Sequence, residues 1–386
     1  MLAIKCGRLV PVTAPAIDNG VMIIEDGKIK ALGGADTPIP TGAEIIDASD
    51  RWVYPGLIDA ASHLGVNTEP YDFESGGRDG MDISEPLNPH FRAADAINPF
   101  DEALERVRRA GVTTAFAALG PGCVIDGVGT AIKLRPAEAA CEMILPDTEQ
   151  LCVTLGDEAI MYFGGMQKRP PRTRMAVMEL LRDVLLRAKE RAEAEEPPKT
   201  PDRKLDALLP YVRGERLVRF ECLRADDITT AVTLAEELGL KYAIVGATEA
   251  HKVAGFLREH KAPVVIEAVP AGPMRCMTML EAYDADFATA GILEKGGNLC
   301  ALTMNEVTLT DVLAISAGFA TAYGLSPQAA LEALTIGPAR LLGLENRVGS
   351  LEAGKDADVA VFTGDALLNT SRCVMTLIDG KTVWTE

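Results

Sequence analysis

Histidine is scarce in this chain. Only four occur in 386 residues: His63, His90, His251 and His260. A two-metal hydrolytic site typically takes about four imidazoles and a carboxylate. Such a site would need every histidine of the protein as a ligand, so the scarcity argues against an intact one.

Other absences narrow the class of protein. No apolar run reaches the length of a membrane span, and no charged-then-apolar leader opens the chain. The eight cysteines show neither pairing nor CxxC spacing, which is typical of reduced thiols in a cytoplasmic protein. A net charge of −18 argues against nucleic acid or an anionic membrane as partner. We therefore expect a cytoplasmic protein whose ligand, if any, is a small molecule.

Both chain ends carry short apolar runs separated by turn signals. Asn19-Gly20 and Asp26-Gly27 are typical hairpin turns near the start, and Asp379-Gly380 is one near the end. The pattern predicts that residues 1–55 and 345–386 together form one small β-domain.

The middle of the chain, residues 56–344, alternates β-rich runs with helix-length periodic segments. TTAFAAL, CVTLG, LVRFECL and YAIVGA are examples of the runs, and DITTAVTLAEELGL of the helices. This alternation predicts parallel strands joined by helical crossovers, at a length that suits a TIM-type barrel. A doubly wound open sheet is the alternative, but no GxGxxG or GxxxxGK[ST] loop follows any run.

Several motifs, in the right order, resemble the amidohydrolase superfamily. They are VYPGLIDAASHLG (53–65), DEALERVRRAGVTTAFAALGPG (101–122), RLVRFECLRADDI (216–228), ALEALTIGPARLLGL (330–344) and GSLEAGKDADVAVFTGDAL (349–367). The resemblance covers nearly the whole chain and is greatest to the imidazolonepropionase and prolidase-like branch. It implies an α/β fold, a (β/α)8 barrel with a small β-sandwich domain from the two termini, and a metal-dependent hydrolase site.

The first strand departs from the family's ligand pattern. The resemblance implies His-x-His here, since alternate residues of a strand point the same way and can share a metal. Ala61 and Ser62 stand at the first two positions, and only His63 remains. A methyl group binds no metal, so His63 either lines the barrel mouth or serves a rebuilt site.

The middle strands depart as well. The resemblance places metal-binding histidines at Glu221 and, two residues on, at Leu223, and a further one at Gly246. A carboxylate can bind zinc or pair with an arginine, whereas glycine offers no ligand. His251 and His260 fall in the following helix, where we expect them away from the site.

The last strand lacks the family's catalytic carboxylate. Asn305 stands at the position where the resemblance implies an aspartate that binds metal and takes a proton from water. An amide has no useful basicity. Glu306 follows it and should point the other way unless the strand bends. His90, in the loop after the first strand, is a substrate-loop or structural candidate.

Other constellations carry weaker signals. Ser62 beside His63 offers a nucleophile and a base, but neighbouring strand residues face opposite ways. The glycine-rich stretch 120–135 is interpreted as a loop entering the barrel mouth, and it contains Lys133, which resembles a lysine that bridges two metals in some relatives. The arginines of QKRPPRTRM (167–175) either meet a carboxylate ligand or lie on the surface.

Two hypotheses follow. The first is a non-catalytic pseudoenzyme that keeps the barrel as a binding or assembly module, as a homo-oligomer or as the partner of an active relative. The second is a hydrolase of non-peptide C–N bonds, of cyclic amide or amidine type, with a mononuclear or metal-free site around His63 and Glu221. Under either, we expect no cofactor or at most one divalent metal of the zinc type.

Overall fold

The computed structural model describes residues 1–72, 76–194, 200–267, 284–305 and 307–386, without the side chains of 70–78 and 307–309. Its strands, numbered in chain order, are β1 (Leu2–Leu9), β2 (Ile17–Glu25), β3 (Lys28–Gly33), β4 (Glu44–Pro55), β5 (Leu57–Ser62), β6 (Asn67–Asp72), β7 (Gly76–Arg78), β8 (Val112–Ala117), β9 (Ile125–Lys133), β10 (Gln150–Thr154), β11 (Leu217–Cys222), β12 (Lys241–Gly246), β13 (Val264–Glu267), β14 (Leu299–Thr303), β15 (Val359–Phe362), β16 (Cys373–Ile378) and β17 (Lys381–Thr385). The α-helices are α1 (Glu102–Arg109), α2 (Ala140–Met143), α3 (Asp157–Ile160), α4 (Arg174–Glu193), α5 (Arg203–Val212), α6 (Ala225–Leu238), α7 (Ala254–Glu259), α8 (Thr289–Gly296), α9 (Leu313–Thr321), α10 (Pro327–Ala333) and α11 (Ile336–Leu341).

Eight strands form the barrel sheet, in the order β14-β13-β12-β11-β10-β9-β8-β5. Nearly every residue of these strands is buried, as expected where helices cover the outside and side chains fill the inside. The ring is nearly closed: the Thr303 hydroxyl at the end of β14 contacts Asp59 and the Ala61 carbonyl on β5. The predicted barrel is confirmed.

One barrel strand runs against the others. β9 pairs antiparallel with both β8 and β10, while β5, β8 and β10–β14 run parallel. The interpretation of residues 120–135 as a loop is therefore wrong over 125–133. Glycine normally disfavours strands, but Gly127 and Gly129 lie here where an added Cβ would meet Leu119 and Phe116 at 2.7 and 2.6 Å. Close packing, which the composition does not reveal, requires these glycines.

The terminal segments meet in one seven-stranded sheet, in the order β17-β16-β15-β4-β1-β2-β3. Asp26-Gly27 and Asp379-Gly380 occupy the turns of the hairpins β2–β3 and β16–β17, each with positive φ, as predicted. The prediction of a turn at Asn19-Gly20 is wrong: both residues lie within β2. Strand β4 ends at Pro55 and β5 begins at Leu57, so the chain enters the barrel at Gly56.

Capping residues set several helix ends. The side chains of Asp101, Thr173, Asp202 and Ser326 accept backbone N–H groups at the starts of α1, α4, α5 and α10. Gly239 ends α6 in the left-handed conformation. No helix of the described residues is both long and apolar enough to cross a membrane.

A buried lysine joins the barrel to the terminal sheet. Because β9 runs antiparallel, its last residue, Lys133, lies at the amino-terminal end of the parallel strands. The fully buried ammonium group contacts carboxylates of Asp356, Asp358 and Asp379, at 2.6 Å from Asp356 and 3.2 Å from Asp358. The interpretation of Lys133 as a metal-bridging residue is wrong, since strand direction places it at the opposite end from the predicted site.

Candidate functional site

The carboxyl ends of the parallel strands collect the polar residues of the barrel interior, as in other barrels of this type. Thr154 ends β10 and lies in register with Glu221 of β11. Asn305 follows β14 by two residues. These three residues line a small internal cavity with Ala61, Ala118, Leu119, Cys152, Val153, Arg219 and Val245.

Asn305 and Glu221 contact each other across this cavity. The Asn305 side-chain amide donates to Glu221 Oε1 at 3.0 Å. Asn305 has φ of 50°, a conformation that asparagine tolerates better than most residues. Its backbone N–H donates to the Thr303 hydroxyl at 3.0 Å, which links it to Asp59. Asn305 is thus oriented from both its backbone and its side chain.

Asp59 is fully buried beneath the site and supports the first strand. Its Oδ1 lies 2.5 Å from the Thr303 hydroxyl and accepts the Ala61 N–H at 3.1 Å. Burial raises the pKa of Asp59 to about 6, although these hydrogen bonds oppose the rise. Asp59 therefore shapes the site without lining its cavity.

His63 lies apart from Glu221. It is buried, and its Nδ1 is 3.1 Å from the Ala118 carbonyl oxygen. Within the described chain, no ion pair of 4 Å or less joins His63 to a carboxylate. In the neutral tautomer that donates from Nδ1 to Ala118, the ring keeps Nε2 as its acceptor. The structure therefore brings Glu221 and Asn305 together but does not pair either with His63.

Apolar side chains fill the space at two of the positions where the resemblance implies metal ligands. Ala61 packs with Val245, Val265 and Ala301 in a buried apolar cluster. At Gly246, which has φ of 82°, an added Cβ would lie 2.8 Å from Leu223 Cδ2. The internal cavity that remains has a volume of about 10 Å³, enough for roughly one water molecule.

The described residues do not form a metal centre of the family type. No group of three or more histidine, cysteine, aspartate or glutamate side chains is arranged to hold a metal ion among the residues described. Glu221 and Cys152 are the candidate ligands on the cavity wall, beside an amide and a fixed guanidinium, and burial raises the pKa of Cys152 to about 11, which disfavours the thiolate that a metal needs.

Sequence reasoning missed Arg219, which lies two residues before Glu221 on the same face of β11. Its guanidinium donates to Gln150 Oε1 at 3.0 Å and to the Ala60 carbonyl at 2.6 Å, and it lies 4.2 Å from the Phe116 ring centroid. It is buried, and burial lowers its pKa to about 10. The period-two alternation that places Arg219 beside Glu221 was the available signal.

Asp126 was missed as well, because its strand was interpreted as a loop. Its Oδ2 accepts the Thr154 hydroxyl at 2.7 Å and its Oδ1 accepts the Cys123 N–H at 2.8 Å. Burial, with a smaller contribution from the Glu221 charge, raises the pKa of Asp126 to about 7. Gly120 allows this packing, since an added Cβ there would lie 2.6 Å from the carboxyl carbon.

A larger cleft of about 390 Å³ lies outside the internal cavity. It is lined by Asp79, Gly80, Asp82, His90, Phe91, Arg92, Asp95, Ala96, Leu119 and Asp126. Leu119 borders both spaces, and the hydrogen bond from Thr154 to Asp126 joins their walls. His90 is exposed, and its ring is tilted by 53° against that of Phe91, with centroids 4.8 Å apart. Partial desolvation and the Lys204 charge lower the pKa of His90.

The remaining predicted candidates lie elsewhere. Ser62 donates to the Phe116 carbonyl at 3.2 Å, not to His63. His251 is half-buried in a 3-10 helix, 3.2 Å from Thr289 Oγ1. His260 pairs with Glu236 at 2.8 Å, away from the barrel mouth. Glu306 lies outside the described residues.

The arginines of residues 167–175 that were candidates for the site contact helices and main-chain carbonyls. Arg174 pairs with Asp157 at 3.0 Å and with Asp227 at 3.1 Å. Arg169 lies 4.8 Å from the Phe163 ring centroid and donates to main-chain carbonyls at Ile83 and Ser84. Neither arginine lines the two cavities described above.

Comparison with known proteins identifies the family to which this chain belongs. A model described as the amidohydrolase family matches residues 280–383. The crystal structure of an amidohydrolase from Thermotoga maritima MSB8 is 32% identical, with a TM-score of 0.91, and each chain is covered completely. This protein belongs to the amidohydrolase family.

Two curated relatives are more distant. Amidohydrolase tasK of Hapsidospora irregularis is 25% identical over 94% of this chain, which spans only 39% of the length of tasK. An imidazolonepropionase of Fusobacterium nucleatum is 22% identical over 91% of this chain and 86% of its own. These identities support common descent across the barrel and leave the activity of this chain open to proposal.

Proposed function

We propose that this protein is a non-hydrolytic member of the amidohydrolase family that keeps the barrel as a small-molecule binding module. The observation that carries the proposal is the pairing of Asn305 with Glu221 where the resemblance implies metal ligands. The amide holds the carboxylate by a 3.0 Å hydrogen bond.

The chemistry of Asn305 supports this proposal. In the family mechanism a carboxylate at this position removes a proton from the attacking water. An amide cannot accept that proton, although it can orient a water or a ligand N–H group. Binding therefore survives the substitution better than hydrolysis does.

The shape of the barrel mouth gives further support. Ala61 and Leu223 fill space near the ligand positions, and the cavity of about 10 Å³ admits no hydrated divalent ion. The cleft of about 390 Å³ has the size of a small-molecule site. A ligand would accordingly sit above the old metal position and not within it.

Metal analysis is the direct experiment. Protein purified without chelator is expected to contain far less than one equivalent of zinc, manganese or iron per chain. One equivalent that is lost in the Glu221→Gln variant would contradict the proposal. The variant serves as the control, because it keeps the shape of residue 221 and removes its charge.

A second candidate function is metal-free hydrolysis of a cyclic amide or amidine. The observation in its favour is Asp126, a buried carboxyl group with a pKa of about 7, which suits a general acid or base near neutral pH. Imidazolone propionate, implied by one relative's name, and simple cyclic amides form the test panel. Turnover in the presence of a chelator that disappears in Asp126→Asn would favour this candidate over the binding module.

Self-association remains a separate prediction. We propose a homo-oligomer, because a barrel kept without chemistry fits an assembly role. Light scattering that gives the monomer mass of 41.1 kDa at micromolar concentration would refute it.

A further inference from the structure

We propose that the barrel mouth binds a small organic cation that carries several N–H donors. This inference rests on the proposed binding function and names the class of ligand. It is drawn from the balance of hydrogen-bond donors and acceptors around the internal cavity and the outer cleft.

The acceptors include one that has no partner. Asn305 is 1% exposed, and its Oδ1 is buried without a hydrogen bond in the described structure. Its amide nitrogen is engaged with Glu221, which fixes the side-chain orientation and leaves the oxygen as a free acceptor on the cavity wall. A buried carbonyl without a donor costs about 1–3 kcal/mol, so a donor from water or ligand is expected there.

Carboxylates supply the remaining acceptors. Asp126 lines the outer cleft together with Asp79 and Asp82, and Glu221 lines the internal cavity. Asp126 is buried and Glu221 is half-buried, whereas Asp79 and Asp82 are exposed. A cation between Asp126 and Glu221 is favoured, because its charge offsets their mutual repulsion and the desolvation of Asp126.

The arginine side chains that line the internal cavity and the outer cleft already have hydrogen-bond partners. Arg219 donates to Gln150 and to the Ala60 carbonyl. Arg92 pairs with Asp95. An anionic ligand would therefore meet carboxylates without a free guanidinium among the described lining residues.

The dimensions limit the ligand. The cleft of about 390 Å³ accommodates a body of several heavy atoms, whereas the cavity of about 10 Å³ accepts one water-sized group. An ammonium or guanidinium nitrogen is such a group. The head of the ligand then lies near Asp126 and Asn305, and its body lies in the outer cleft.

Butyl compounds that differ only in the head group test this inference. Butylammonium and butylguanidinium, at roughly millimolar concentration, are titrated into the full chain near pH 8 at fixed salt, with butanol and pentanoate as neutral and anionic controls. Calorimetry and melting temperature report binding. Saturable binding of the two cations alone is the expected result.

Variants locate the binding. Asp126→Asn and Glu221→Gln keep side-chain shape and are expected to weaken the cations about tenfold or more, as lost hydrogen bonds to charged groups do. Asp36→Asn removes the same charge from an exposed loop of the terminal sheet and should leave affinity unchanged. Melting curves without ligand establish that each variant is folded.

The outcomes distinguish a failure of the cation inference from a failure of the proposed binding function. Binding of butanol or pentanoate in place of the cations, no binding of any probe, or equal weakening by Asp36→Asn overturns the cation inference and leaves the binding module standing. Stoichiometric metal lost in Glu221→Gln, as above, overturns the binding module itself.

Discussion

The side-chain amide of Asn305 donates to the carboxylate of Glu221 at 3.0 Å across the carboxyl end of the barrel. The resemblance to the amidohydrolase family implies a metal-binding aspartate at position 305 and a metal-binding histidine at position 221. Here the Asn305 amide nitrogen supplies a hydrogen-bond donor to the Glu221 carboxylate, whereas Asn305 Oδ1 has no partner in the described structure. The carboxylate therefore has a donor without a metal.

Two variants of this pair are expected to change the free energy of unfolding by different amounts. Glu221→Gln keeps an oxygen that accepts from Asn305, so we expect the free energy of unfolding to change by less than about 1 kcal/mol. Asn305→Ala removes the donor from the Glu221 carboxylate and should cost about 1–3 kcal/mol. Urea unfolding measures both, and an equal effect of the two variants would argue against the pair.

The Glu221→Gln variant also tests whether Glu221 forms an ion pair with His63. Because no ion pair joins these residues in the described chain, Glu221→Gln should lose no stability relative to the wild type below neutral pH. Above neutral pH we expect a small gain, since the Glu221 charge contributes to the raised pKa of Asp126. A loss of stability confined to pH values below neutral would reveal a charged His63 bound to Glu221 and contradict the structure.

Substitution of Gly246 tests how tightly the side chains at the barrel mouth are packed. Gly246→Ala adds a methyl group 2.8 Å from Leu223 Cδ2 at a φ of 82°. Gly239→Ala is the matched control, since it has a φ of 70° and no neighbour within 4 Å of the added Cβ. We expect Gly246→Ala to be less stable than the control by about 1 kcal/mol or more. Equal destabilisation would mean that the space is open.

Asp126 should make stability depend on pH. Its pKa in the folded protein, about 7, lies above the ordinary value of 3.8, so folding favours the protonated form. Its contribution is fully present below about pH 4 and is lost as the pH rises through 7. Asp126→Asn removes this loss, and the variant should gain roughly 2–4 kcal/mol over wild type between pH 4 and pH 8.

Urea unfolding of both proteins across this range gives the difference directly. The buried carboxyl groups of Asp59 and Asp358, each with a pKa of about 6, titrate in both proteins and cancel in the comparison. A difference that does not vary with pH would show that Asp126 is ionised throughout.

The lysine between the two sheets should be important for stability. Lys133→Met leaves the buried carboxylate of Asp358 without its ammonium partner, which should cost about 3–5 kcal/mol, whereas Asp356 keeps Lys28 and Arg347. Lys381→Met, at an exposed position, is the control and should change stability by less than about 0.5 kcal/mol. Denaturant unfolding that fails to separate these variants would contradict the buried cluster.

The sequence by itself determined the architecture and predicted that most of the family's metal ligands are missing. Alternating strand and helix periods predicted the barrel, and turn signals at Asp26-Gly27 and Asp379-Gly380 predicted hairpins, because these features depend on local backbone and side-chain preferences. The identity of Ala61 and Gly246 sufficed to exclude two ligands, since neither side chain can bind a metal in any fold.

The tertiary structure decided which residues lie together at the predicted site. Strand direction is a property of the whole sheet, so only the structure showed that β9 runs antiparallel, which places Asp126 at the barrel mouth and Lys133 at the opposite end. Likewise, Asn305 and Glu221 are 84 residues apart in the chain. Their hydrogen bond depends on the near closure of the barrel, which no local pattern records.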